Sequence, residues 1–144
     1  MVGKKAMMKL DFKAYGHPSI SALNKHKLTI TKSDAVHDDS VIAVRSELAA
    51  ADLPPGMKEA LQERKKISLT MRTGGIEDRV DAFGSFKMDP TDPEKLVIEK
   101  GDFAEHDTVG VRANKAAADL FRDLIGQMQS EDEEIEFEIR IMES

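Results

Sequence analysis

Lys27-Leu28-Thr29-Ile30-Thr31-Lys32-Ser33-Asp34 returns later in the chain as Lys95-Leu96-Val97-Ile98-Glu99-Lys100-Gly101-Asp102, with Lys, Leu, Ile, Lys and Asp at the same steps, 68 residues on. Outward from this stretch the match continues. Ala14-Tyr15-Gly16 answers Ala82-Phe83-Gly84 at the same offset, and Val44-Arg45 and Ala49-Ala50-Ala51-Asp52-Leu53 answer Val111-Arg112 and Ala116-Ala117-Ala118-Asp119-Leu120 at 67. Self-similarity held at one period means one structural unit used repeatedly. Two independent units of about 70 residues would each have a marginal core and no disulfide or metal to staple it, so the halves are expected to interlock. The expectation is a single domain over 1–144 built of two repeats, about 8–73 and 76–142, related by a pseudo-two-fold.

Each half reads strand, strand, strand, helix, strand. Met8 to Lys13 alternates apolar and charged residues, as do Ile67 to Arg72 and Ile135 to Ile141, the period-two pattern of a strand with one buried face. Pro54-Pro55-Gly56 breaks the helical stretch after Leu53, because proline lacks the backbone donor. In the second half Ala117, Leu120, Phe121, Leu124, Ile125 and Met128 form one apolar stripe at helical spacing, with Asn114 as the expected N-cap. Gly74-Gly75 reads as the hairpin joining the halves. The fold class is α+β, mainly β, with duplicated β-β-β-α-β units. A closed, barrel-like arrangement is favoured over a strongly curved antiparallel sheet with two helices, both of which protect strand edges.

Composition excludes more than it assigns. The 144 residues contain no cysteine, which removes disulfides, thiolate nucleophiles and Cys-ligated metal. No run is long and apolar enough for a transmembrane helix, and Met1 to Lys9 lacks the apolar core of a signal peptide, so the expected location is cytoplasmic, with no membrane role. A net charge of −6 argues against nucleic acid as a partner. Arg64-Lys65-Lys66, the one basic cluster, falls where a helix should end and suits the negative end of its dipole. The acidic run Glu131 to Glu134 reads as a solvated turn.

Spread from Tyr15 to Gln127, several motifs resemble an archaeal family, domain of unknown function 371. They are Gly16-His17-Pro18, Gly74-Gly75 followed by Asp78 and Val80, Lys100-x-Asp102-Phe103, and Ala113-x-Lys115-Ala116-Ala117-x-Asp119-Leu120. The resemblance implies an archaeal source and a shared fold, and it brings no known reaction. Where members often carry Arg-Gly-Asp-Cys this chain has His37-Asp38-Asp39-Ser40, and where they carry Cys-Asp-Arg-Thr it has Glu105-His106-Asp107-Thr108. Any site that depends on those cysteines is absent here. The members' second histidine corresponds to Asn24.

Candidate site residues fall into three groups. His17, beside a glycine bend, is the candidate general acid or base, since imidazole titrates near physiological pH; the alternative is that it satisfies backbone groups in the Pro18 turn. Lys32 and Lys100, each two residues before Asp34 and Asp102, could form a symmetric anion site with Arg45 and Arg112; alternatively each lysine pairs with its own aspartate. His37, His106 and Asp107 lie in paired Asp- and His-containing loops with donors suited to hard divalent ions, although the spacing matches no established metal motif. Walker, dinucleotide and nucleophile-elbow patterns are missing, and no cofactor is implied. The chain therefore reads as a protein of unknown function. The favoured reading is a binding module for a small anionic ligand or a protein partner, compatible with a homodimer. The alternative is an enzyme acting on a small polar or phosphorylated metabolite through His17.

Overall fold

The computed structural model describes residues 6–142; residues 1–5, which begin the segment lacking a leader's apolar core, lie outside them. Among the described residues the order is β1 (Ala6–Tyr15), β2 (Lys27–Thr31), β3 (Val41–Ala43), α1 (Pro55–Gln62), β4 (Lys66–Thr73), β5 (Ile76–Phe83), β6 (Lys95–Glu99), β7 (Thr108–Gly110), α2 (Arg122–Met128) and β8 (Glu134–Met142). A single 3-10 turn, Ala50–Asp52 or Ala117–Asp119, precedes each helix. The strands form two four-stranded sheets, ordered β1-β8-β4-β5 and β3-β2-β6-β7.

Side-chain alternation sets which way each sheet faces. In β8, Ile135, Phe137, Ile139 and Ile141 are buried while Glu136 and Arg140 are exposed, so one face enters the core and the other meets water. Phe137 stacks on Phe12 of β1 with ring centroids 5.1 Å apart. Leu28, Ile30, Leu96 and Ile98 of the second sheet, with Leu61 of α1 and Leu124 of α2, belong to the same hydrophobic cluster. β4 and β5 meet in a two-residue hairpin in which Gly74 and Gly75 both have positive φ, 58° and 79°. That geometry matches the right-handed strand twist and admits glycine without steric cost.

The sheets do not close into a barrel, and they are not one curved antiparallel sheet. Among the described residues their edges meet only through isolated antiparallel bridges, Tyr15 with Val44 and Phe83 with Val111. Each bridge is cut short because the next residue, Arg45 or Arg112, takes a left-handed conformation with φ 51° or 52°, which turns the chain out of the strand. β3 and β7 also pair parallel to β2 and β6, since the loops after β2 and β6 double back along them.

The second helical stretch differs from its apolar periodicity as well. Residues 117–128 are divided into the 3-10 turn Ala117–Asp119, an extended Leu120, and α2, whose N-cap is Phe121. Asn114 is not a cap; its Oδ1 accepts the N–H of Asp81 at 3.0 Å. The break has a local cause. Buried Asp78 of β5 accepts the Phe121 N–H at 3.0 Å, taking a donor that a continuous helix would have used internally. Leu120, Leu124, Ile125 and Met128 still reach the core, but Phe121 is left exposed. No helix among the described residues is long and apolar enough to cross a membrane.

Candidate functional site

Gly16 and Gly84 follow β1 and β5 and are packed against the chain just before the neighbouring strand of the same sheet, β8 and β4. A Cβ on Gly84 would lie 2.0 Å from the carbonyl oxygen of Leu61, and one on Gly16 would lie 2.3 Å from that of Ser130. The Gly16 and Gly84 N–H groups bond the carbonyls of Glu133 and Lys65, each at 2.9 Å. In both places a left-handed arginine lies over the aromatic residue that ends the first strand: Arg45 over Tyr15 at 4.6 Å and Arg112 over Phe83 at 5.1 Å.

Here the two places diverge. Arg45 Nη2 is 2.6 Å from Asp132 Oδ1. The residue in the register of Asp132, immediately before the carbonyl that holds the glycine, is Arg64, and both have φ 65°. Arg64 and Arg112 instead line one cleft of about 250 Å³ together with Gly84, Ser85, Phe86, Asp102 and Val111. Among the described residues neither guanidinium has a carboxylate within ion-pairing distance. With one aspartate against two arginines the cleft is net positive, although the chain is acidic. Planar guanidinium forks suit bidentate recognition of phosphate or carboxylate.

Of the other sequence candidates, the lysines are already committed. Lys32 pairs with Asp52 at 2.7 Å and Lys100 with Asp119 at 2.8 Å, instead of with Asp34 and Asp102 two residues on. Those bonds, with the N–H groups of Ala49 and Ala116, hold the Asp52 and Asp119 carboxyls below their ordinary range. Arg45 is neutralised by Asp132, and Asp34 is exposed. His17 Nδ1 accepts the Ser19 N–H at 3.0 Å, a local turn bond, and His17 is not among the residues lining the cleft. Asn24 also serves the backbone, with Oδ1 accepting from His26 and Lys27.

A second concavity of about 360 Å³ lies on the outer face of β2 and β6. It joins His37 and Asp107 with Lys27, Lys95, Asp38 and Glu94 over a floor that includes buried Thr29 and Thr31. Burial pushes the Asp38 carboxyl up, but bonds from the Ser40 hydroxyl and amide, with Lys27 and Lys95 nearby, leave it below its ordinary range. Lys95 lies 3.6 Å from Asp107. His106 faces elsewhere, with Nδ1 3.2 Å from Thr91 Oγ1 and 3.7 Å from Asp89 Oδ2. Among the described residues no group of three or more His, Asp or Glu converges as metal ligands would.

Arg64, Ser85 and Phe86 complete the cleft; Arg64 belongs to the basic cluster Arg64-Lys65-Lys66, read from the sequence as a helix end, and Ser85 and Phe86 stand in no motif. The trace in the sequence is the 68-residue register: Arg64 stands against Asp132, Ser85 against His17 and Phe86 against Pro18. These are positions where the matched stretches differ, whereas the repeat draws attention to positions where they agree.

The sequence profile of one family, described as Domain of unknown function (DUF371), matches residues 12–142. An uncharacterized protein of the archaeon Methanocaldococcus jannaschii is 30% identical over 134 residues, covering 92% of this chain and 98% of the relative. The matched span runs from Phe12 in β1 to Met142 at the end of β8 and so takes in both sheets and the arginine cleft. On the extent of that match, the chain belongs to the family of domain of unknown function 371.

Proposed function

We propose that the protein is a binding module for a small anionic ligand and that the Arg64–Arg112 cleft holds it. The observation that carries this reading is the contrast between two matched arginines: Arg45 is neutralised by Asp132, whereas Arg112 shares its cleft with a second guanidinium and, among the described residues, no ion-paired carboxylate. Like charges in one cleft repel unless an anion sits between them, and each charge-assisted hydrogen bond to such an anion stabilises by about 1.5–3 kcal/mol.

The reading includes an internal duplication over about 8–73 and 76–142. Its support is the palindromic strand order in each sheet, β1-β8-β4-β5 and β3-β2-β6-β7, together with the paired bridges, left-handed arginines and Lys–Asp contacts. A pseudo-two-fold would then pass between β4 and β8 and between β2 and β6. The cysteine-free composition is compatible with a cytoplasmic location. The alternative, an enzyme using His17 as general acid or base, has less support because Nδ1 is occupied by Ser19.

Isothermal titration with inorganic phosphate and pyrophosphate tests the reading on wild type, Arg112→Ala and Arg64→Ala. One saturable site in wild type, weakened about tenfold or more by either substitution at unchanged melting temperature, is the expected result. Absence of binding by the folded wild type would overturn it.

A further inference from the structure

The cleft carries a second chemistry beside its charge. Phe86 lines it with 63% of its surface exposed, and Phe83, beneath Arg112, is 38% exposed. Exposed rings are costly to keep in water, yet these two are held under cations. The Arg64 guanidinium stands 5.0 Å from the Phe86 centroid, Lys87 Nζ stands 5.9 Å from it, and the Arg112 guanidinium is 5.1 Å from that of Phe83.

The 68-residue register sharpens the point. Where the place around Gly16 has Pro18, Ser19 and Asp132, the matching place around Gly84 has Phe86, Lys87 and Arg64. All three departures fall around one cleft, and together they add one aromatic ring and two cations while omitting one anion. A site for a bare anion would need only the charge changes. An added ring with a guanidinium over it supplies a π surface next to an anion site, the pairing that recognises an aromatic base attached to a phosphate.

Resting on the anion-binding reading above, we infer that the ligand of the Arg64–Arg112 cleft is a nucleotide, a sugar phosphate that carries an aromatic base. The phosphate lies between the two arginines and the base stacks on the exposed ring of Phe86. A cleft of about 250 Å³ is smaller than the roughly 300 Å³ at which pockets for drug-sized ligands begin. It therefore suits one nucleotide's phosphate and sugar, with the base against the exposed ring. The net charge of −6 opposes a long polyanion, so the ligand is a free mononucleotide and not a strand.

Calorimetric titration of wild type, Phe86→Ala and Arg112→Ala with inorganic phosphate, ribose 5-phosphate, the common nucleoside monophosphates and an eight-nucleotide single strand tests this. At least one nucleoside monophosphate should bind wild type about tenfold or more tightly than ribose 5-phosphate. Phe86→Ala should remove that advantage while leaving the affinity for phosphate within about twofold, and Arg112→Ala should weaken both; Phe86 is exposed, so its variant should melt with wild type. Phosphate binding with no preference for any nucleotide would overturn the nucleobase inference and leave the anion site standing. Failure of wild type to bind phosphate or any nucleotide would overturn the anion reading itself. A strand that binds more than tenfold tighter than every mononucleotide would overturn the commitment to a free nucleotide.

Discussion

Lys32 Nζ lies 2.7 Å from Asp52 Oδ2, and the same oxygen accepts the Ala49 N–H at 2.9 Å, so one carboxylate ties the loop after β2 to the 3-10 turn ahead of α1. Lys100, Asp119 and Ala116 make the corresponding contacts at 2.8 and 2.9 Å. An anion site on these lysines would have to break both ties.

The ties make stability acid-sensitive. The Asp52 and Asp119 carboxyls are held below their ordinary value of 3.8, first by the lysine bond and then by the backbone N–H; Asp38 and Glu138 are shifted in the same direction. A depressed folded-state pKa adds stability that is complete above the unfolded pKa and is lost as pH falls through the folded one. Urea midpoints should be flat above about pH 5 and fall below about pH 4. The double variant Asp52→Asn, Asp119→Asn should be less stable at pH 7 and show a shallower acid limb. Partial exposure of both pairs limits the loss to about 1 kcal/mol per site.

Gly84→Ala should be among the most damaging single-methyl changes. Its Cβ would meet the Leu61 carbonyl oxygen at 2.0 Å, and backbone cannot rotate aside as a side chain can. A loss of about 3 kcal/mol is expected from overpacking, read as a lower urea midpoint at unchanged slope. Gly75→Ala makes a useful control, because nothing lies within 4 Å of its Cβ and only the left-handed φ of 79° is strained. Its cost should be about 1 kcal/mol.

Asp78→Ala should destabilise by about 2–3 kcal/mol. The buried carboxylate accepts from Lys115 Nζ at 2.5 Å, Phe121 N at 3.0 Å and Arg79 N at 2.7 Å, so its removal strands the donor at the start of α2. Lys115, about a third exposed, regains water and moderates the loss. Amide exchange should accelerate in α2 before it does in β8 if this anchor works as described.

The matched arginines give a charge-swap prediction. Asp132→Arg would set a guanidinium near Arg45 as Arg64 stands near Arg112, and phosphate titration should then report two sites in place of one. Arg64→Asp would give Arg112 a partner like the one Arg45 has, and binding should vanish without loss of fold. An unchanged stoichiometry in Asp132→Arg would show that the Gly84-Ser85-Phe86 loop, and not charge alone, makes the cleft.

Much of the architecture was legible in the residues. The alternation of β1, β4 and β8, the Gly74-Gly75 hairpin and the proline break before α1 are local properties, written within a few residues and dictated by side-chain direction and backbone freedom. The Lys27 to Asp34 match likewise falls on β2 and β6, which pair antiparallel at the centre of the second sheet. Tertiary structure decided where strands stop and which charges meet. The left-handed turns at Arg45 and Arg112 ended the edge bridges and left two sheets where a barrel was expected, and Asp78, 43 residues away along the chain, divided the last helical stretch by taking the Phe121 N–H. Ion pairing followed the same rule. Lys32 and Lys100 bypassed the nearby aspartates for partners about 20 residues on, while Arg64 and Arg112 met in one cleft with no carboxylate among the described residues paired to either. Periodicity is a one-dimensional property that survives reading from the chain, whereas Coulomb energy depends on distances that only the packed sheets and loops define.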